Sequence, residues 1–178
     1  MTAPDEPAPH LTYLDAGYPR GGTTPGALAD WWRRAVAILL DGLILSIPNF
    51  MLLTLLGIET AQIDEATDQV VIDWGDFWAA ALVGLVVAVV YSGLLDGSSH
   101  GQTVGKMAMR IQVRDATAGG PIGFRRAAVR RFIYQSLFLA LAIPGVVNAL
   151  LPLWDRHRQA WHDKAVGSVV VNAAPPLD

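Results

Sequence analysis

The 178-residue chain contains no cysteine, which excludes disulfides, thiolate metal sites and thiol nucleophiles and leaves the compartment open. Charge is also scarce: 16% of residues are charged against 52% hydrophobic, with a mean hydropathy of +0.35, an unusual balance for a soluble domain of this length. No nucleophile elbow, phosphate-binding glycine loop or zinc-helix motif occurs, so catalysis has no constellation to stand on, and the expectation is a protein that is not an enzyme and uses no cofactor. His157, His162 and Asp163 are too sparse a trio to indicate a metal. The first 28 residues lack the basic start and apolar core of a secretory signal. Rich in Pro and Gly, with little to bury, 1–28 reads as a disordered tail, and 173–178 as a short C-terminal one.

What is present is three apolar stretches, within a predicted domain over 29–172. The first helix is expected over about 31–57, opened by Trp31 and Trp32 as interface anchors. The second is expected over 77–95, with no charge within it. Each is long enough, at about 1.5 Å per residue, to cross a bilayer core of about 30 Å. The third, 132–154, is interrupted by Pro144 and Gly145; it either crosses once with a kink or enters and returns. The fold class expected is therefore an all-α polytopic membrane protein with two spanning helices, a kinked or re-entrant third segment and a small cytoplasmic β element.

Orientation follows from the basic residues, which cytoplasmic flanks retain. The loop 58–76 carries Glu59, Asp64, Glu65, Asp68, Asp73 and Asp76 and no Lys or Arg, so it is placed outside a plasma membrane, with the N-terminus cytoplasmic. A re-entrant third segment would put all 13 Lys and Arg on the inner side. The β-prone runs 108–113 and 168–171 favour that arrangement, because they can pair only if both lie on one side. Between them, the run GFRRAAVRRF reads as a surface helix whose Arg125, Arg126, Arg130 and Arg131 face anionic lipid headgroups. Nucleic acid is the disfavoured alternative, given the acidic net charge of −3.

Within the second helix Ala80, Gly84, Ala88 and Ser92 recur every fourth residue, and Gly93 and Gly97 form a second small pair. Small faces of this kind admit a neighbouring helix, with the first helix as the expected partner and oligomerisation as another use. In the first helix Asp41 lies inside an apolar run, where a carboxylate costs about 2.5–3.5 kcal/mol on insertion scales and calls for a partner. Arg34 is on the same face but about 10.5 Å away along the axis, so a third group is required, with Lys106, His162 and Lys164 as candidates and Asn49 two turns further in.

These residues resemble a known family. Arg34, Asp41, the segment GQTVGKMAMRIQVRDATAGG over 101–120 and the ending WHDKAVGSVVV over 161–171 are similar to the RDD family of membrane proteins, named for one arginine and two aspartates. The resemblance covers 28–171 and implies that Arg34 is the arginine, Arg33 being the other register, with Asp41 and Asp163 as the aspartates. Gln102, Gly105 and Lys106 match the family's GQTLGK-like segment, whereas Val166-Gly167-Ser168 departs from its usual strand entry. It implies an uncharacterised activity, with transport of a ligand or cation/proton exchange among the functions suggested for members. Two classes follow: an oligomeric transporter with its site at Asp41, Arg34 and Asp163, supported by Asn49, Gln102, Lys106 and His162; or a non-transporting adaptor or assembly factor in which these charges are structural. The transporter requires an oligomer, and the adaptor would bind lipid or a partner through its basic cytoplasmic portion; the partners expected are the bilayer and a second copy or another membrane protein.

Overall fold

The computed structural model describes residues 26–64 and 68–173. Most of the expected tail 1–28, and 174–178, lie outside the described residues. Two long apolar helices lead: α1 (Trp31–Leu56) and α2 (Trp74–Asp96). Gly57, in left-handed conformation at φ 66°, ends α1 by donating to carbonyls of its last turn, and Asp73 caps α2 by accepting from the N–H groups of Gly75 and Asp76 at 2.8 and 3.0 Å. The first helix keeps its expected bounds to within a residue, whereas α2 extends beyond 77–95 at both ends, because Asp73 is its cap and Asp96 a buried final residue rather than a solvated stop.

Between them the acidic loop contains an antiparallel hairpin, β1 (Ala61–Asp64) with β2 (Gln69–Ile72), where only a loop was expected. Its strands are four residues each and Val70-Val71-Ile72 does not alternate, so no period marks them in the sequence. After α2 come the short α3 (Val104–Ala108), β3 (Ile111–Asp115) and α4 (Gly123–Ala140). Then follow α5 (Ala142–Leu150), a 3₁₀ turn (Leu151–Leu153), α6 (Trp161–Ala165) and β4 (Ser168–Asn172).

β3 pairs antiparallel with β4, Val113 opposite Val170. Their pairing is the one expected from the two β-prone runs. Every residue of β4 is buried, because residues 26–29 lie along its other edge: Leu28 bridges Val171, and Ala29 N–H donates to the Val170 carbonyl at 3.0 Å. The end of the expected tail thus belongs to the sheet. Ala29, Ala37, Ile111, Val113, Ile122, Ala127 and Val170 form the core beneath it.

The third apolar segment folds back. The chain breaks at Leu141, extended at φ −147° and ψ 101°, three residues before the expected break, so Pro144 sits in the first turn of α5, where its missing N–H costs no helical bond. Gly145 then packs so closely that a Cβ there would lie 2.8 Å from the Phe138 Cα. Since β3 precedes this segment and β4 follows it in one ladder, its two ends are held on the same side of the molecule.

The small face of α2 is divided. Gly84 faces Asn49 of α1, but Gly93 and Gly97 receive α4: a Cβ at Gly97 would lie 2.7 Å from the Phe124 backbone, and one at Gly93 would meet the Phe124 ring at the same distance. Ala88 and Ser92 are buried, whereas Ala80 is half-buried. The expectation that α1 covers this whole face is corrected: α4 takes its C-terminal half, because the ring of Phe124 fills the space the glycines leave.

Candidate functional site

Asp41 is buried at 6% exposure and holds three donors. Its Oδ1 accepts from the Tyr91 hydroxyl and from the Gly105 backbone N–H, both at 2.8 Å, and its Oδ2 accepts from Thr103 Oγ1 at 2.6 Å. Tyr91 also accepts from the Val104 N–H at 3.0 Å. A carboxylate in mid-helix is therefore satisfied by neutral donors, and Asp41 clasps the start of α3 onto α1 and α2.

Each polar or small residue of the GQTVGK segment has a contact that explains it. Gly101, at φ 64°, brings the chain against the Val113 carbonyl. Gln102 donates to the Ile111 carbonyl at 2.9 Å, tying the turn to β3. Gly105 presses on α1 so tightly that a Cβ would lie 2.2 Å from the Ala37 carbonyl oxygen. Lys106 reaches in the other direction and grips Asp96 at 2.5 Å.

Asp96 opens a second layer. It accepts from Lys106 and, at 3.3 Å, from Arg130, and is 1% exposed. Arg130 continues to Asp163 at 2.7 Å, and Asp163 accepts from Arg34 at 3.2 Å, from the Ala160 N–H at 3.2 Å and from Ser168 Oγ at 3.4 Å. Arg34 also donates to the Val170 carbonyl at 3.3 Å. The chain Lys106–Asp96–Arg130–Asp163–Arg34 thus joins α3, α2, α4, α6 and α1. Breaking one member of such a buried set leaves an uncompensated charge, a loss of about 3–5 kcal/mol, although the intact set contributes little net stability.

Burial opposes ionisation of Asp163, but Arg130 foremost and Arg34 with it offset this and hold its carboxyl well below the ordinary range. Burial pulls the Lys106 ammonium down, with Asp96 opposing it. His162 packs edge-on to Tyr134 with centroids 5.2 Å apart and bonds Asn148 through Nδ1 at 2.9 Å. Burial, reinforced by the Arg130 and Arg34 charges, lowers its pKa to about 3, so the ring is neutral near pH 7.

The candidates read from sequence separate into groups. Arg34 and Asp163 meet; Asp41 is bonded to Tyr91, Thr103 and Gly105 instead, and the third group sought for an Arg34–Asp41 pair is not needed. Asn49 turns to Gly84, and Gln102 serves the sheet. Lys164 pairs with Asp155, away from Asp41. For two of the expected headgroup-facing arginines, Arg126 and Arg130, the expectation is corrected. Arg130 is buried in the network, and Arg126 bonds Asp115 and the Val166 and Gly167 carbonyls, because α4 turns this stripe toward carboxylates and strand ends. Arg125 is exposed and Arg131 half-buried.

Asp96, Tyr91 and Thr103 were not among the sequence candidates, and Arg130 was expected only at the lipid headgroups. For Asp96 a signal existed: the four-residue stripe Ala80, Gly84, Ala88, Ser92 lands on it at the next step. For Tyr91 and Thr103 there was none beyond their ability to donate. Among the described residues no group of three or more His, Cys, Asp or Glu is placed to hold a metal ion.

The model of one family, described as "RDD family", matches residues 28–167. Among curated relatives, the "Proline-rich antigen homolog" of Mycobacterium tuberculosis (strain ATCC 25618 / H37Rv) is 35% identical over 94 residues, covering 53% of this chain and 37% of that protein. The "Proline-rich antigen" of Mycobacterium leprae (strain TN) is 32% identical over 93 residues, covering 52% of this chain and 35% of that protein. The matched part thus amounts to little more than a third of these relatives' length. No solved structure gives a significant match.

Proposed function

The chain belongs to the RDD family, and on that premise we propose that it is a multi-pass protein of the plasma membrane that acts as a non-enzymatic, non-transporting adaptor or assembly factor. In this reading α1 and α2 cross the bilayer, the hairpin β1–β2 lies outside, and the β3–β4 head is cytoplasmic. It is supported by the exposed apolar side chains of both long helices, by the absence of Lys and Arg from 58–76, and by the fold-back between α4 and α5. The partner is a second copy or another membrane protein, held through the apolar faces of α1 and α2 that the fold leaves uncovered.

One observation carries the choice of adaptor over transporter. Asp41, the acid best placed in a spanning helix to bind a cation, already receives three hydrogen bonds from α2 and α3. A cation arriving there would have to displace a donor and release α3. An adaptor needs the opposite, a head held rigidly on two helices.

The test is proton and sodium flux in liposomes carrying the full chain or Asp41→Asn, alongside thermal unfolding in detergent. An amide cannot accept from all three donors in the same way, so the variant is expected to lose about 1–3 kcal/mol of stability. No Asp41-dependent flux is expected. Wild-type flux that vanishes in an equally stable Asp41→Asn protein would overturn the adaptor reading in favour of transport.

A further inference from the structure

The ion network surrounds a cavity of about 60 Å³ whose charge it does not balance. Four cations line it, Arg34, Lys106, Arg130 and Arg131, against three carboxylates, Asp41, Asp96 and Asp163. Lys106 is held by Asp96, Arg130 by Asp96 and Asp163, and Arg34 by Asp163. Arg131 makes no ion pair among the described residues; its guanidinium lies 5.3 Å from the Tyr134 ring, an aromatic face that orients it without neutralising it. With His162 neutral, one positive charge is left over at the cavity wall.

A second observation points to the same place. The Arg131 guanidinium makes no hydrogen bond among the described residues either, whereas the two terminal nitrogens of Arg34 are already given to Asp163 and the Val170 carbonyl. A donor left unsatisfied away from bulk water is costly, and more so when charged. Water could accept from these N–H groups but could not supply the missing negative charge. A small anion with several acceptor oxygens supplies both. Guanidinium forks match oxyanions of phosphate geometry better than a spherical halide. The volume exceeds the roughly 10–15 Å³ that one water requires and suits a single small group.

We propose that this cavity binds one phosphate-class oxyanion, with Arg131 as its principal donor. The phosphate belongs either to an anionic phospholipid or to a free ion. This assignment does not rest on the adaptor reading, since binding and flux are read separately.

The experiment uses the full chain purified in phosphate-free maltoside detergent. Inorganic phosphate is titrated by calorimetry, and retention of phosphatidylglycerol after extraction from phosphatidylglycerol/phosphatidylcholine nanodiscs is followed by native mass spectrometry. Saturable heat with phosphate identifies the free ion; retention of one phosphatidylglycerol per chain without such heat identifies the lipid. In either case Arg131→Gln, which removes no ion pair, weakens binding at least tenfold, Arg131→Lys weakens it less, and Arg125→Gln, at an exposed site, leaves it unchanged. The proposal is overturned if neither ligand is held, or if folded Arg131→Gln or Arg131→Lys binds as tightly as the wild type.

Discussion

Helix α1 buries Arg34, Ala37 and Asp41 in its first three turns and fully buries nothing after them. α2 is its mirror image, burying Ala88, Ser92, Gly93 and Asp96 near its end and nothing before Ala88. The two run antiparallel, as the contacts of Asp41 with Tyr91 and of Asn49 with Gly84 show, so both buried ends fall at one end of the molecule beside the β3–β4 sheet. Toward the other end Ile47, Phe50, Met51 and Leu55 are 66–82% exposed. One half is thus held by an ordinary core with a buried ion network, whereas the other leaves its apolar side chains uncovered. The difference teaches that the polar residues of this chain, unusual in apolar helices, define the half in which the fold is specified internally.

The sharpest way to break that contrast is at Asp163. Asp163→Asn removes the charge shared by Arg130 and Arg34, and an expected loss of about 3–5 kcal/mol should appear as aggregation on gel filtration or a greatly lowered melting temperature. A variant as stable as the wild type would mean that the network does not hold the head together.

Acid should act on the same half. The unfolded His162 takes a proton below its ordinary value of 6.5, whereas the folded ring resists until about 3, so between these values the unfolded state binds more protons and stability falls as pH drops. By pH 4 the loss from this group approaches about 3 kcal/mol at most. Below the ordinary range of Asp163, whose folded value is depressed, a further loss of the same sign sets in as that carboxyl protonates. Melting curves in detergent between pH 7 and 4 should therefore slope steeply for the wild type and less so for His162→Gln. Parallel slopes would show that the ring is not buried as a neutral group.

The smallest effect belongs to the opposite half. Ile47→Ala changes a side chain 66% exposed and should alter the stability of the monomeric chain in detergent by no more than about 0.5 kcal/mol. A loss of several kcal/mol there, dependent on protein concentration, would reveal a second copy packed on α1.

Much of this was legible from composition and order alone. The two long helices follow from uninterrupted apolar runs, whose period and length require no tertiary partner to be recognised. The β3–β4 pair and the membership of a family through Arg34, Asp41, Gly101 to Lys106 and Asp163 were likewise readable. Which charge meets which was not. Same-face spacing within α1 suggested Arg34 with Asp41, but the tertiary structure gave Arg34 to Asp163, 129 residues away, and gave Asp41 to neutral donors on α2 and α3. The basic stripe of α4 was read as facing lipid because a surface helix and an inward-turned helix share one periodicity; only the carboxylates of Asp96, Asp115 and Asp163, brought together from three other elements, decide that Arg126 and Arg130 turn inward. Local sequence thus determined the two long helices and the β3 and β4 strands, through hydrophobic length and β propensity, but not the β1–β2 hairpin. Only the tertiary structure decided the pairing of charges, because Coulomb attraction in a buried site depends on distance in space and on burial, neither of which is encoded by neighbours along the chain.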